Sequence, residues 1–219
     1  MSRFAALAAD PAAGLDALAL ALAAEFRDVD EAEALARLGE LAAEVAAVAA
    51  VRDELDALAE VLGARHGFAG AREDYDHPDN SMLDLVLERG RGLPIALSVV
   101  YVETARRAGI ALDGVGLSGH YVVGQFATVP TAAPVLLDPF AGGVRIAAPG
   151  AATHAGEVRP WGAHETALRM LNNLVGSYTR RSDLGRAIRA AELRLELPLE
   201  RDLAEAFGAE LRGLRARLN

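Results

Sequence analysis

The 219-residue chain contains no cysteine. That absence removes disulfides, thiolate metal sites and cysteine nucleophiles together. Lysine is absent too: all 22 basic residues are arginines, which excludes Schiff-base chemistry on a lysine amine. The bias toward Ala, Gly and Arg fits a GC-rich genome. No apolar run reaches the roughly 18 residues needed to span a bilayer, because charges interrupt every one. The N-terminal "MSRFAALAADPAAGLD" meets Asp10 and Pro11 too early for a signal-peptide core. The expectation is therefore a soluble cytoplasmic protein with no membrane partner. Positive charge is not concentrated either. Of the net −9, residues 1–66 carry −8, residues 67–163 carry −3 and residues 164–219 carry +2. Without a basic stripe, no nucleic-acid partner is expected.

What is present is a chain 52% hydrophobic, long enough to bury a substantial core. The first third reads as helices: "AAGLDALALALAAEF" (12–26), "DEAEALARLGELAAEVAAV" (30–48) and a third over about 51–64. Asp30 is placed to cap the second, with Glu33 three positions on. Val51, Leu55, Leu58 and Leu62 form the apolar stripe of the third. The polar stretch "GAREDYDHPDNS" (70–81) follows, with Asn80 or Ser81 placed to cap the short helix "MLDLVLERG". Its Asp74, Asp76, His77 and Asp79 resemble a metal loop only in composition. Pro78 interrupts them and the distal glutamate of a calcium loop is missing, so a self-hydrogen-bonding loop is expected.

The strongest helix is "GLPIALSVVYVETARRAGI" (92–110), with Pro94 suited to its first position and Gly109 closing it. Glu103, Arg106 and Arg107 read as its solvated face, able to pair with a nearby carboxylate. The period then shortens to strand-like runs, "ALDGVGL", "HYVVGQF" and "PVLLDPF". Residues 141–163 read as a loop, and helices resume from His164. Arg180, Arg181, Arg186 and Arg189 there read as a solvated basic face or as a surface for an acidic partner. The expected division is residues 1–66, a helical region packed on the core; 67–163, the core; and 164–219, C-terminal helices, the three forming one compact unit. The histidines His66, His77, His120, His154 and His164 lack the spacing of a helical zinc site, so no metal is expected, and no cofactor.

One constellation carries chemistry. If "HYVVGQF" and "PVLLDPF" pair around a turn centred on Val129, His120 stands directly across from Asp138. Opposed Cβ atoms lie about 4.5–5.5 Å apart. An aspartate at that distance accepts a ring N–H and fixes the histidine tautomer. On spacing alone, a structural hydrogen bond that caps a sheet edge is the reading preferred to a catalytic pair.

The motifs "DHPDNS", "RGLPIALS", "GVGLSGHY" and "LLDPFAGG" together resemble the transglutaminase-like domain of the bacterial SirB family, a relative of which occurs inside a eukaryotic F-box protein. The C-terminal "RMLNNLVGSYTRRSDLGRAIRAAELRLEL" resembles that family's tetratricopeptide-like part. The resemblance implies an α+β fold: a transglutaminase/papain-like core, its central helix packed on a small antiparallel sheet, with helical N- and C-terminal extensions. It also implies a Cys–His–Asp ancestry. The positions matching the family's histidine and aspartate are His120 and Asp138. The cysteine position falls on Pro94, fifteen residues before Gly109. Base and orienter are thus kept, and the nucleophile is replaced by a side chain that cannot attack.

The leading expectation is a non-catalytic binding or regulatory module whose cleft, near Pro94, Ser98, His120 and Asp138, takes an unknown peptide, protein or small ligand. The alternative is a serine-dependent hydrolase or acyltransferase using Ser98, His120 and Asp138. Ser98 lies one turn beyond Pro94, roughly 6 Å along the axis, and its hydroxyl is expected to bond back to the Pro94 carbonyl. A third reading makes the cleft vestigial and the terminal helices the binding surface.

Overall fold

The computed structural model describes residues 2–127, 133–147 and 158–218. Val129 and His154 lie outside the described residues. The chain opens with a short helix α1 (Arg3–Ala8), followed by α2 (Leu15–Ala24) and α3 (Glu31–Ala49). Asp30 caps α3 as its spacing predicts, its side chain accepting the Glu33 backbone N–H at 2.9 Å. The third helical segment starts later than its apolar spacing suggests. Asp53 caps α4 (Glu54–Leu58) by accepting from the Leu55 and Asp56 N–H groups, and Val51 is left outside at 84% exposure. A capping carboxylate, rather than the apolar stripe, sets that boundary. A π-helical stretch, Ala59–Arg65, continues it.

A minimal parallel pair, β1 (Ala69–Gly70) with β2 (Arg91–Gly92), brackets a 3₁₀ turn at Pro78–Ser81 and α5 (Leu83–Arg89). Neither Asn80 nor Ser81 caps α5; Met82 occupies that position without a side-chain bond. The Asn80 amide is spent on the Asp74 and Tyr75 carbonyls, at 3.0 and 3.2 Å. That bond does bear out a self-hydrogen-bonded loop.

The core helix α6 (Pro94–Arg107) starts with Pro94, whose missing N–H belongs to the unsatisfied first turn anyway. It lies between α3 and α5 on one side and the sheet on the other. That sheet is antiparallel, in the order β3 (Asp113–Leu117), β4 (His120–Gln125), β5 (Val135–Asp138), β6 (Val144–Ile146). Strand β6 falls where the sequence reads as loop: "VRI", flanked by Gly143, is too short for a period to register. Alternation divides the strands cleanly. Tyr121, Val123 and Leu137 enter the main core, while Val115, Val122 and Leu136 form a small cluster on the opposite face.

Helices α7 (Ala163–Arg180), α8 (Leu184–Arg194) and α9 (Arg201–Ala216) complete the chain. α7 packs against α2 and the 3₁₀ turn, and Tyr121 reaches Thr166 on it through a 2.8 Å hydroxyl contact. Residues 180–189 are not a bare basic face. Arg180 and Arg181 pair with Asp76 and Asp74, Arg186 with Asp183, and Arg189 with Glu25.

Of the residues read as a solvated face, Arg106 remains exposed and the expected pairing with a carboxylate forms, but Glu103 and Arg107 are drawn into the interior. Glu103 is only 2% exposed and accepts from both arginines, at 2.9 and 2.7 Å. Arg107 also bonds Asp16 of α2, with Arg106 3.4 Å from the same carboxylate. Burial pushes the Asp16 carboxyl up, but the Arg107 hydrogen bond, the Ala17 N–H and both guanidinium charges hold it below the usual carboxylate range. The helix buries this face because α2 arrives over it, a partner some ninety residues away in sequence.

Candidate functional site

His120 opens β4 immediately after a tight turn in which Gly119 takes φ +72°, a conformation glycine adopts without a Cβ clash. Asp138 closes β5, where Pro139 begins a 3₁₀ turn, Pro139–Ala141. The predicted partnership forms, but not through direct opposition. Val123 pairs with Leu137, Gly124 with Leu136 and Gln125 with Val135. Continued, that register sets Val122 across from Asp138 and places His120 one diagonal step away. A shift of two positions preserves the face, so both side chains still project on the same side of the pleat.

The imidazole Nε2 lies 3.0 Å from Asp138 Oδ2. A carboxylate only accepts, so Nε2 carries the proton and donates, leaving Nδ1 as the basic nitrogen of the neutral ring. The second oxygen, Oδ1, accepts the Phe140 N–H at 2.9 Å, and the Asp138 carbonyl accepts from Gly143 N at 2.8 Å. The aspartate is therefore held at three points. The His120 side chain is 32% exposed and that of Asp138 16%: a pair open to solvent on one side.

Phe140 walls the site. Its ring meets His120 edge-on at 6.3 Å and Tyr75 at 5.9 Å, and the Arg72 guanidinium stands over it at 5.8 Å. It lies so close to β1 that a Cβ on Gly70 would come within 2.3 Å of the ring. Behind Asp138, Tyr101 of α6 is fully buried. Burial, reinforced by the Asp138 charge, pushes its phenol well above the ordinary range. Its hydroxyl has no hydrogen-bond partner among the described residues.

Pro94 is buried at the start of α6. Ser98, one turn further on, is 1% exposed, and its Oγ makes no hydrogen bond among the described residues, to the Pro94 carbonyl or to the His120 ring. The expected back-bond to Pro94 is thus not made. The structure brings together His120 and Asp138; no polar contact joins Pro94 or Ser98 to them. Phe140, Tyr75 and Arg72 were not singled out in the sequence. Only Phe140 carries a usable signal, since an aspartate two residues before it, across a proline, favours a side-chain-capped turn. Among the described residues, no helix is long and apolar enough to cross a membrane.

A core helix beside a small antiparallel sheet, with a His–Asp pair across adjacent strands, makes this an α+β protein. The superfamily pattern matches residues 20–157, and the chain belongs to the transglutaminase-like superfamily. A UPF0162 protein of Xylella fastidiosa is 37% identical over 147 residues, covering 60% of this chain and 51% of that protein. A UPF0162 protein of Pseudomonas aeruginosa is 37% identical over 140 residues, covering 62% and 50% respectively. F-box only protein 21 of Mus musculus is 36% identical over 69 residues, 32% of this chain and 11% of that protein. The match thus spans about half the length of these two UPF0162 proteins. No solved structure matches it significantly.

Proposed function

We propose that this is a non-catalytic transglutaminase-like protein of the SirB type, with tetratricopeptide-like C-terminal helices, that binds a peptide or small ligand over the His120–Asp138 face. The observation that carries the reading is a histidine oriented by a fixed carboxylate in a chain with no thiol to activate. Nucleophilic catalysis needs an attacking group within hydrogen-bond reach of the base, roughly 2.6–3.2 Å. Pro94, at the family's cysteine position, offers none. Ser98, the residue the alternative depends on, is buried and makes no bond to the ring. What the pair retains is recognition capacity: a proton-accepting Nδ1 beside the Phe140 and Tyr75 rings and the Arg72 cation, suited to a ligand with a donor group and an apolar body.

The test is to assay the protein against a broad panel of esters, amides and amine acceptors, alongside His120→Ala and Asp138→Ala. The expected result is no turnover that depends on either residue. Hydrolysis or amide transfer lost in both variants would overturn the reading. Labelling of Ser98 by a fluorophosphonate would replace it with the serine mechanism.

A further inference from the structure

The "DHPDNS" motif takes no part in the His120–Asp138 site. Its His77, Pro78 and Asp79 instead line a cavity of about 420 Å³ that shares no residue with that site. The cavity lies between the 3₁₀ turn and α5 on one side and the end of α7 and start of α8 on the other. Its size falls within the roughly 300–1,000 Å³ of small-molecule sites.

Arginine is concentrated on its walls. Four guanidiniums line it, from Arg27, Arg89, Arg181 and Arg186, against the carboxylates of Asp79 and Asp183. Arg27 and Arg181 pair in turn with Asp84 and Asp74, just outside the lining, so each of the four guanidiniums meets a carboxylate. The two lining carboxylates are committed. Asp183 caps α8 through Arg186 N and also accepts from the Arg186 side chain, both at 3.1 Å. Asp79 accepts from Arg89 at 3.2 Å and stands 3.6 Å from the His77 ring.

The arginines are not exhausted by these contacts. A guanidinium has five N–H donors. Among the described residues, side-chain contacts engage one group on each of Arg27, Arg89 and Arg186, and two on Arg181. The four side chains, from just beyond α2, from α5, from the end of α7 and from α8, line one cavity. Its floor is apolar: the Phe26 and Tyr178 rings pack with centroids 5.4 Å apart, and Met82 and Leu85 are buried beside them. Planar guanidiniums match phosphate oxygens bidentately.

We infer that this cavity is a binding site for a small organic phosphate, its phosphate held by Arg89, Arg181 and Arg186 and its apolar part against Phe26 and Tyr178. The experiment is isothermal titration calorimetry of the full chain at fixed ionic strength with phenyl phosphate, inorganic phosphate and phthalate. The same titrations use Arg89→Gln, Arg186→Gln and their combination, with the exposed Arg201→Gln as control. Far-UV circular dichroism accompanies each variant, and the two single substitutions, both at half-exposed side chains, stand in if the pair fails to fold.

Phenyl phosphate is expected to bind saturably and more tightly than inorganic phosphate. Removing the two arginines is expected to weaken it about tenfold or more, while Arg201→Gln leaves it unchanged. Absence of saturable binding, or equal loss in the control, overturns the site. Tighter binding of phthalate overturns the assignment to phosphates.

Discussion

His120 and Asp138 are hydrogen-bonded at 3.0 Å while standing diagonally, not directly, across β4 and β5. The diagonal works because Asp138 is the last residue of its strand, where the chain turns into Pro139–Ala141. Its carboxylate caps that turn and meets the ring at once. Asp138→Ala removes both bonds and leaves the Phe140 N–H without its acceptor. The expected loss is about 1–3 kcal/mol of stability, measured by urea denaturation. The His120 ring should also lose its preference for the Nε2–H tautomer, read from ¹⁵N chemical shifts. A variant with unchanged tautomer populations would show that the carboxylate does not orient the ring.

Ser98 offers a prediction of opposite sign. Its hydroxyl is buried and has no partner among the described residues. Ser98→Ala removes a polar group that folding has desolvated for nothing, so stability should hold or rise by up to about 1 kcal/mol. A thermal midpoint that drops sharply would mean that the hydroxyl is bonded after all.

The pH dependence of stability follows from Asp16. With Arg107 beside it, its carboxyl titrates lower in the folded chain than in the unfolded one. A lowered folded pKa contributes stability that is present above the unfolded value, about 3.9, and is lost as pH falls through the folded value. Chemical denaturation from pH 7 downward should therefore show a shallower acid decline in Asp16→Asn than in the parent, together with lower stability at pH 7. Parallel acid limbs would contradict the assignment.

Gly63 lies in the π-helical stretch, against the turn that follows the Asp138 cap. A Cβ there would come 1.9 Å from the Gly142 carbonyl oxygen, which is backbone and cannot rotate away. Gly63→Ala should cost about 1–3 kcal/mol, seen as a lower denaturation midpoint. A fully tolerated alanine would mean that this turn can slide.

Local signals in the sequence located most of this framework. Pro94 announces the start of α6, and the Asp30–Glu33 spacing announces the start of α3. Parity alone was enough to put His120 and Asp138 on one face. The register was not legible, since "ATVPTAAP" contains no Asn-Gly or Gly pair to fix where the chain reverses. Nor was the burial of Glu103, because a helical face looks solvated until a distant helix covers it. Arg186 and Arg89 are more than ninety positions apart, and no periodicity could have announced that they share a cavity.

The contact between Asp16 and Arg107 bears on how this molecule could be recombined. It joins the leading helices to the core helix through an acid and a base contributed by separate stretches of chain. Grafting foreign helices in place of residues 1–66, without an acid to meet Arg107, would leave that guanidinium with Glu103 alone at a largely closed seam. Chimeras between relatives should tolerate exchange there only when both positions travel together.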